Sequence, residues 1–331
     1  VHPKAKNEAQ QKIFDKIVHE TLAIPQTWET QLSAAGQKQY KDPAEKEAAF
    51  REKWETMITS GKIGYMALLR NLRNILNANI EAKAFQMAMQ KLADPAKVHK
   101  SKQFPFRFLA AYRELEKEKG IRVPYILDAL ESALEASARN ICGFDYQTRV
   151  LIASDVSGSM YQRLSPKSKM ELVDVGLVLS ALMKRSCLSA ITGVFGETYK
   201  RVQLSTRGVV ANVQMLKSQS VGYSTNGYLA IKDLVKTKTI VDKVLIFTDC
   251  QLYNSTAWSR ETIEHWWRKY KKMAPDAKLY LFDLAGYGQT PLNVLRDDVY
   301  LIAGWSDKIF DVLTAIEEGS SAIREIENIL L

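Results

Sequence analysis

From residue 149 onward the chain alternates continuous apolar runs with amphipathic stretches, and this pattern limits its fold most. Arg149-Val150-Leu151-Ile152-Ala153-Ser154 and Lys243-Val244-Leu245-Ile246-Phe247-Thr248 place apolar side chains at consecutive positions. A strand built from either run is hydrophobic on both faces, so it is stable only inside a sheet covered on both sides. Residues 188–195, 199–204, 278–284 and 299–303 read as further strands, and about 168–184, 226–236, 259–273 and 306–317 as helices. The alternation predicts a doubly wound α/β domain with a mostly parallel sheet over 147–331.

Residues 1–146 have a different period. Phe14, Ile17, Val18 and Leu22, then Tyr65, Leu68, Leu69, Leu72, Ile75 and Leu76, then Ile126, Ala129, Leu130, Ala133, Leu134 and Ala138 keep helical spacing. Pro25, Asp42-Pro43, Gly61, Asp94-Pro95, Pro105 and Pro124 punctuate these runs, several at positions suited to the first turn of a helix. Short amphipathic helices in series predict a helical-repeat (HEAT-like) module, so the whole chain is expected to be α + α/β. The chain opens on Val1 rather than methionine and is read as lacking residues upstream, which leaves the helical module incomplete.

Charge is unevenly spread. The net charge is +9, and residues 62–107 hold nine Lys and Arg against only Glu81 and Asp94. A basic stretch of this kind suits an anionic partner, nucleic acid before membrane, since no run of apolar residues is long enough to span a bilayer and no leader-like segment opens the chain. The competing reading is a solvated basic face. A monomer in the cytoplasm is expected. Cys142, Cys187 and Cys250 lie too far apart for a zinc knuckle or a disulfide framework and read as reduced, buried thiols. There is no GxxxxGK[ST] loop, and the four histidines, His2, His19, His99 and His265, are scattered, so no enzyme is expected. Trp266-Trp267 reads as packing against the sheet.

Polar residues gather where the apolar strands end. The first strand runs into Asp155-Val156-Ser157-Gly158-Ser159-Met160, the strand over 244–248 ends at Asp249, and Tyr223-Ser224-Thr225-Asn226-Gly227 precedes a helix. Ligands of doubly wound sheets bind at such carboxyl ends. A few hard oxygens from carboxylates and hydroxyls suit Mg²⁺, with Mn²⁺ as the second choice, because Mg²⁺ keeps several of its waters.

Asp155-x-Ser157-x-Ser159, Thr225 and Asp249, in this order, resemble the metal-ion-dependent adhesion site of a von Willebrand factor A domain. The resemblance implies direct ligation by Ser157, Ser159 and Thr225, support from Asp155 and Asp249 through water or the hydroxyls, and a partner carboxylate as the last ligand. The threonine loop lacks the glycines expected before Thr225, so Ser224 is the other candidate for that position. Gly64-Tyr65-Met66-Ala67-Leu68-Leu69-Arg70-Asn71-Leu72-Arg73-Asn74, together with Ala93-Asp94-Pro95, Val98, Ser101-Lys102 and Pro105-Phe106-Arg107-Phe108, resembles the TROVE module of the Ro ribonucleoprotein family in its bacterial branch. Ala303-Gly304-Trp305-Ser306-Asp307 also resembles bacterial members. The order, helical module then A domain, is that of the family. It implies a scaffold for RNA quality control and processing that binds small non-coding Y RNAs and the single-stranded ends of misfolded RNAs, and that works with an exoribonuclease such as polynucleotide phosphorylase. A metal-dependent adhesion or assembly module without RNA is the alternative.

The basic residues also carry a local argument. On one helix through 65–77, Arg70, Arg73, Asn74 and Asn77 would form a polar stripe opposite the leucines. Lys97, His99, Lys100, Lys102 and Arg107 flank a turn and a helix start, where backbone N–H groups favour anions. Phe104, Phe106 and Phe108 beside Pro105 read as core rather than as base-stacking platforms.

Overall fold

The computed structural model describes residues 4–22, 27–137, 144–166, 168–187, 189–250, 261–288, 297–305 and 308–317. Of the residues singled out above, His2, Pro25, Ala138, Cys142, Ser306 and Asp307 lie outside these stretches. The chain forms two compact units, Val1–Met89 and Gln90–Leu331.

The first unit is helical: α1 (Glu8–Val18), α2 (Trp28–Gly36), α3 (Pro43–Thr59), α4 (Tyr65–Arg70), α5 (Leu72–Asn77) and the first part of α6 (Ala82–Ala93). Asn7, Thr27 and Asp42 cap the first three helices with side-chain oxygens, and Pro43 opens α3 at a position where its missing N–H costs nothing. Trp54, Met57, Ile58, Leu68, Leu72 and Ile75 are buried at helical spacing.

The helix expected over 65–77 is two helices. Asn71 between them leaves helical geometry (φ −112°, ψ 13°), and its buried side chain donates to Ala67 O at 2.9 Å. An asparagine side chain that satisfies a backbone carbonyl competes with the next turn of helix, and here it wins over the leucine periodicity.

The second unit holds α7 (Pro95–Ser101), α8 (Pro105–Leu115), α9 (Val123–Ser137), β1 (Val150–Asp155), α10 (Leu172–Ser186), β2 (Ala190–Phe195), β3 (Tyr199–Arg201), α11 (Val209–Lys217), α12 (Tyr228–Thr237), β4 (Lys243–Thr248), α13 (Ile263–Lys271), β5 (Lys278–Asp283), β6 (Val299–Ala303) and α14 (Lys308–Glu317). The change from helices to sheet comes at β1, whereas α7–α9 belong to the same compact unit as the sheet.

The strands form one sheet in the order β3-β2-β1-β4-β5-β6, parallel except for the edge strand β3, which is also shorter than the expected 199–204. β1 and β4 are central, as their apolar runs require; every residue of β1 is buried. Leu151, Ala153, Val244 and Ile246 face a core that includes Trp266, Trp267 and Tyr270 of α13, which fixes the tryptophan pair as packing residues. The opposite face meets α10, where a Cβ on Gly176 would lie 3.2 Å from Phe247 Cβ. The chain leaves β1 toward β2 on one side and resumes at β4 on the other, so the β1/β4 carboxyl edge is the switch point of the sheet.

Candidate functional site

Asp155 closes β1 at this switch point and is 1% exposed. Its Oδ1 accepts the Ser157 N–H at 2.8 Å, and its Oδ2 accepts the Thr248 hydroxyl at 2.7 Å. The first bond tightens the turn after the strand; the second crosses to the end of β4. Ser157 and Ser159 Oγ are 3.3 Å apart, on the turn that leads into a short 3-10 helix, Gly158–Tyr161. Ser157 is buried and Ser159 half-buried.

The threonine loop is held against this turn. Gly158 N–H donates to Tyr223 O at 3.3 Å, and Asn226 N–H donates to Gly196 O at 3.0 Å. Gly196, just after β2, lies so close to the loop that a Cβ there would sit 2.3 Å from Gly222 O, and Gly222 itself has φ +81°. Two glycines thus allow the backbones to touch. Thr225 is buried and Ser224 exposed.

Asp249, fully buried, follows β4, and Cys250 after it takes φ +57°, an uncommon conformation for a side chain of its size. The Cys250 N–H donates to Thr248 Oγ1 at 3.2 Å. Asp283, at the end of β5, is also fully buried and accepts the N–H groups of Gly286 (2.9 Å) and Gly288 (2.8 Å).

Burial pushes the Asp155 carboxyl up to about 7, against the hydrogen bonds from Ser157 and Thr248 and with help from the charge of Asp249. Burial and the carboxylates of Asp283, Asp249 and Asp155 push the Cys250 thiol up to about 12. This edge concentrates negative charge with little solvent to screen it, an environment that a cation relieves. Among the described residues no cluster of three or more His, Cys, Asp or Glu side chains is placed to hold a metal; the polar side chains at this edge are the carboxylates of Asp155, Asp249 and Asp283 beside the hydroxyls of Ser157, Ser159 and Thr248. Cys187 and Cys250 are free and buried, as expected.

The sequence did not point to Thr248 or Asp283. Thr248 reads as the last residue of a β-rich run, and only the parallel register, which sets Ser154 opposite Phe247, places its hydroxyl on Asp155. Asp283 ends an apolar strand as Asp155 and Asp249 do, and that shared position was the available signal.

The basic residues fall into two sets on different units. In the first unit Arg70 ends α4 while Arg73 and Asn74 stand on α5; all three are exposed, and Asn74 Nδ2 donates to Asn71 Oδ1 at 2.9 Å. The single-helix stripe is therefore interrupted at Asn71, although its members stay at the surface. In the second unit Lys97, His99 and Lys100 are exposed on α7, Lys102 sits beyond its end at φ +50°, and Arg107 is exposed in the first turn of α8. Lys97 pairs loosely with Asp94 at 3.5 Å. No side chain caps α8, whose N-cap is Phe104. Phe106 and Phe108 are buried, and Phe106 packs edge-on against Trp305, with ring centroids 4.9 Å apart.

Residues 20–123 match the family model of the TROVE domain. Over 96 residues the chain is 39% identical to mouse telomerase protein component 1 and 38% identical to the rat protein. These alignments cover 29% of this chain and only 3% of each relative, so the chain corresponds to a small part of those proteins. The structure superimposes on the crystal structure of the Deinococcus radiodurans RO (RSR) protein with a TM-score of 0.62 and 20% identity, over 97% of this chain and 69% of that one. At that identity the likeness is one of fold. Residues 20–123 are therefore similar to the TROVE domain, within a chain whose fold is similar to that of a Ro protein.

Proposed function

We propose that this protein is a non-enzymatic RNA-binding scaffold that binds small non-coding Y-like RNAs and the single-stranded ends of misfolded RNAs, for RNA quality control and processing with an exoribonuclease such as polynucleotide phosphorylase. The observation that carries the reading is the exposure of Arg70, Arg73, Lys97, Lys100, Lys102 and Arg107 within the stretch that matches the TROVE domain. Exposed guanidinium and ammonium groups offer phosphates charge and hydrogen bonds, while Asn74 and His99 add further hydrogen-bonding groups. No helix among the described residues is long and apolar enough to cross a membrane.

The sheet part is read as a von Willebrand factor A-like domain behind a HEAT-like helical module. Its metal-ion-dependent adhesion site holds Mg²⁺, or Mn²⁺ in its place, through Ser157, Ser159 and Thr225, with Asp155 and Asp249 as the charge-balancing carboxylates. The buried carboxylates beside neutral hydroxyls support this, because such a donor set fits a hard cation that keeps part of its water shell. When bound, the cation supplies a Lewis-acidic seat for a carboxylate from outside. The protein's own contribution is to hold the hydroxyls: Asp155 fixes the Ser157 turn, and Thr248 fixes Asp155. The inward placement of Thr225 favours it over Ser224.

Sequencing the RNA that copurifies with the full chain tests the proposal. Enrichment of small structured RNAs and of transcripts with single-stranded 3′ ends is expected. A preparation free of RNA that captures an acidic protein only with Mg²⁺ present would establish the adhesion alternative instead.

A further inference from the structure

The first unit contains a cavity of about 620 Å³ between α2, α3 and α5, within the ~300–1,000 Å³ range of small-molecule sites. Its apolar walls are Leu32, Phe50 and the buried Trp54, and the Phe50 ring reaches back to within 3.9 Å of where Gly36 would carry a Cβ. Lys46, Glu47 and Arg51 of α3 and Asn74 and Asn77 of α5 supply the polar lining.

The donors and acceptors are arranged unequally. Arg51 spends its Nε on Ala78 O at 3.1 Å, which fixes the guanidinium at the end of α5 and leaves its terminal nitrogens for a ligand. Asn74 donates its Nδ2 to Asn71 and so presents Oδ1. Glu47 is exposed, and among the described residues it forms no ion pair, even with Lys46 or Arg51 close by in sequence. The lining thus offers two acceptors, Glu47 and Asn74, a neutral amide at Asn77 that can donate, and two cations.

That pattern discriminates among bases. Two acceptors need a ligand edge with adjacent N–H groups. Guanine has one, with N1–H beside the N2 amino group and O6 next to them to accept from an amide. Adenine and cytosine set one amino group beside a ring acceptor, and uracil sets one N–H between two carbonyls. An apolar wall with an aromatic ring suits the base faces, and Lys46 and Arg51 suit the attached phosphate.

We propose that the cavity between α2, α3 and α5 receives a guanine base of single-stranded RNA, with Glu47 and Asn74 accepting from its Watson–Crick edge, Asn77 donating to O6, Phe50 against the ring, and Lys46 and Arg51 holding the phosphate. This rests on the RNA-binding reading and adds a base preference to it.

The test uses fluorescently labelled ten-nucleotide oligouridylates, either unbroken or with one central G or one central A, and the anisotropy of each with the full chain. The G oligomer is expected to bind about tenfold tighter than the other two, the worth of one good bidentate base contact. Glu47→Ala and Asn77→Ala, both at exposed positions, should each bring the affinity for the G oligomer down to the value the same variant shows for the unbroken and A oligomers, with an unaltered far-ultraviolet circular dichroism spectrum. Equal binding of the three oligomers, or a preference that survives both substitutions, overturns the guanine pocket and leaves RNA binding standing. Failure of the unsubstituted chain to bind any oligomer overturns both.

Discussion

Arg113 of α8 grips Asp174 of α10 with both terminal nitrogens: Nη2 meets Oδ1 at 2.6 Å while Nη1 holds Oδ2. Asp174 has no solvent-exposed side chain, and Lys217 of α11 reaches the same Oδ1 at 3.0 Å. Glu171 completes the cluster, accepting from Lys217 at 2.8 Å while its own N–H donates to Asp174 Oδ2 at 2.9 Å. The helices before the sheet are thereby tied to helices that cover it.

Arg113→Ala should destabilise the second unit by about 3 kcal/mol, because Asp174 would keep its burial and lose its fork; Lys217 remains and limits the loss. Urea unfolding followed by tryptophan fluorescence measures it. Asp174→Asn in the Arg113→Ala background should recover part of the loss by removing the buried charge.

The same pair sets a pH dependence. Burial pushes the Asp174 carboxyl up, but the hydrogen bonds from Arg113 and Glu171 and the charges of Arg113 and Lys217 outweigh it and hold the group below the usual carboxylate range. A carboxyl with a lowered folded-state pKa stabilises the fold fully above its unfolded value, near 4, and loses that contribution as the pH falls through its folded value. Wild-type stability should therefore drop more steeply below pH 4 than that of Asp174→Asn. Parallel acid titrations of the two proteins should show it.

At the switch point, Ser159→Ala should weaken Mn²⁺ binding at least several-fold while leaving the melting temperature unchanged, since Ser159 is half-buried and, among the described residues, its hydroxyl bonds to Ser157 Oγ alone. Asp155→Ala should abolish Mn²⁺ binding and also lower stability by a few kcal/mol, because Ser157 N–H and the Thr248 hydroxyl both lose a buried acceptor. Calorimetric titration with Mn²⁺ and thermal melts separate the two effects. Undiminished Mn²⁺ binding by Asp155→Ala would remove the metal from this edge.

For RNA, replacing Arg70 and Arg73 together by alanine should flatten the log–log salt dependence of single-strand binding by about 1.4, the loss of two phosphate contacts. Lys97, Lys100 and Lys102 replaced as a separate set should flatten it by about 2 if each of the three meets a phosphate. Filter binding at several salt concentrations reads both. Asp155→Ala should leave the slope unchanged. A slope unaffected by either set would return these residues to solvation.

The central sheet was legible because β1 and β4 are apolar at successive residues, a pattern with one stable setting. The Asp155-x-Ser157-x-Ser159 turn was legible because its polar residues stand directly after such a strand. Less was visible where a side chain far along the chain does the work. The N-cap of α11 is Gly208, which has no side chain to cap the helix, and residues 209–217 carry no local start signal. Its first N–H groups are instead taken by α9: Glu135 accepts from Gly208 at 3.1 Å and Glu131 from Val210 at 3.2 Å. Asn71 misled in the other direction, since its neighbours have helical spacing and only its bond to Ala67 O breaks the run.

Those two glutamates bear on how freely the sheet can be moved between proteins. A piece cut where the strands begin, at residue 147, would keep all six strands of the sheet. It would also start α11 with bare N–H groups and leave Asp174 with Lys217 and the Glu171 N–H but without the Arg113 fork. Judged by secondary structure the sheet is a self-sufficient cassette. Judged by where its charges and donors are satisfied, α8 and α9 have to travel with it.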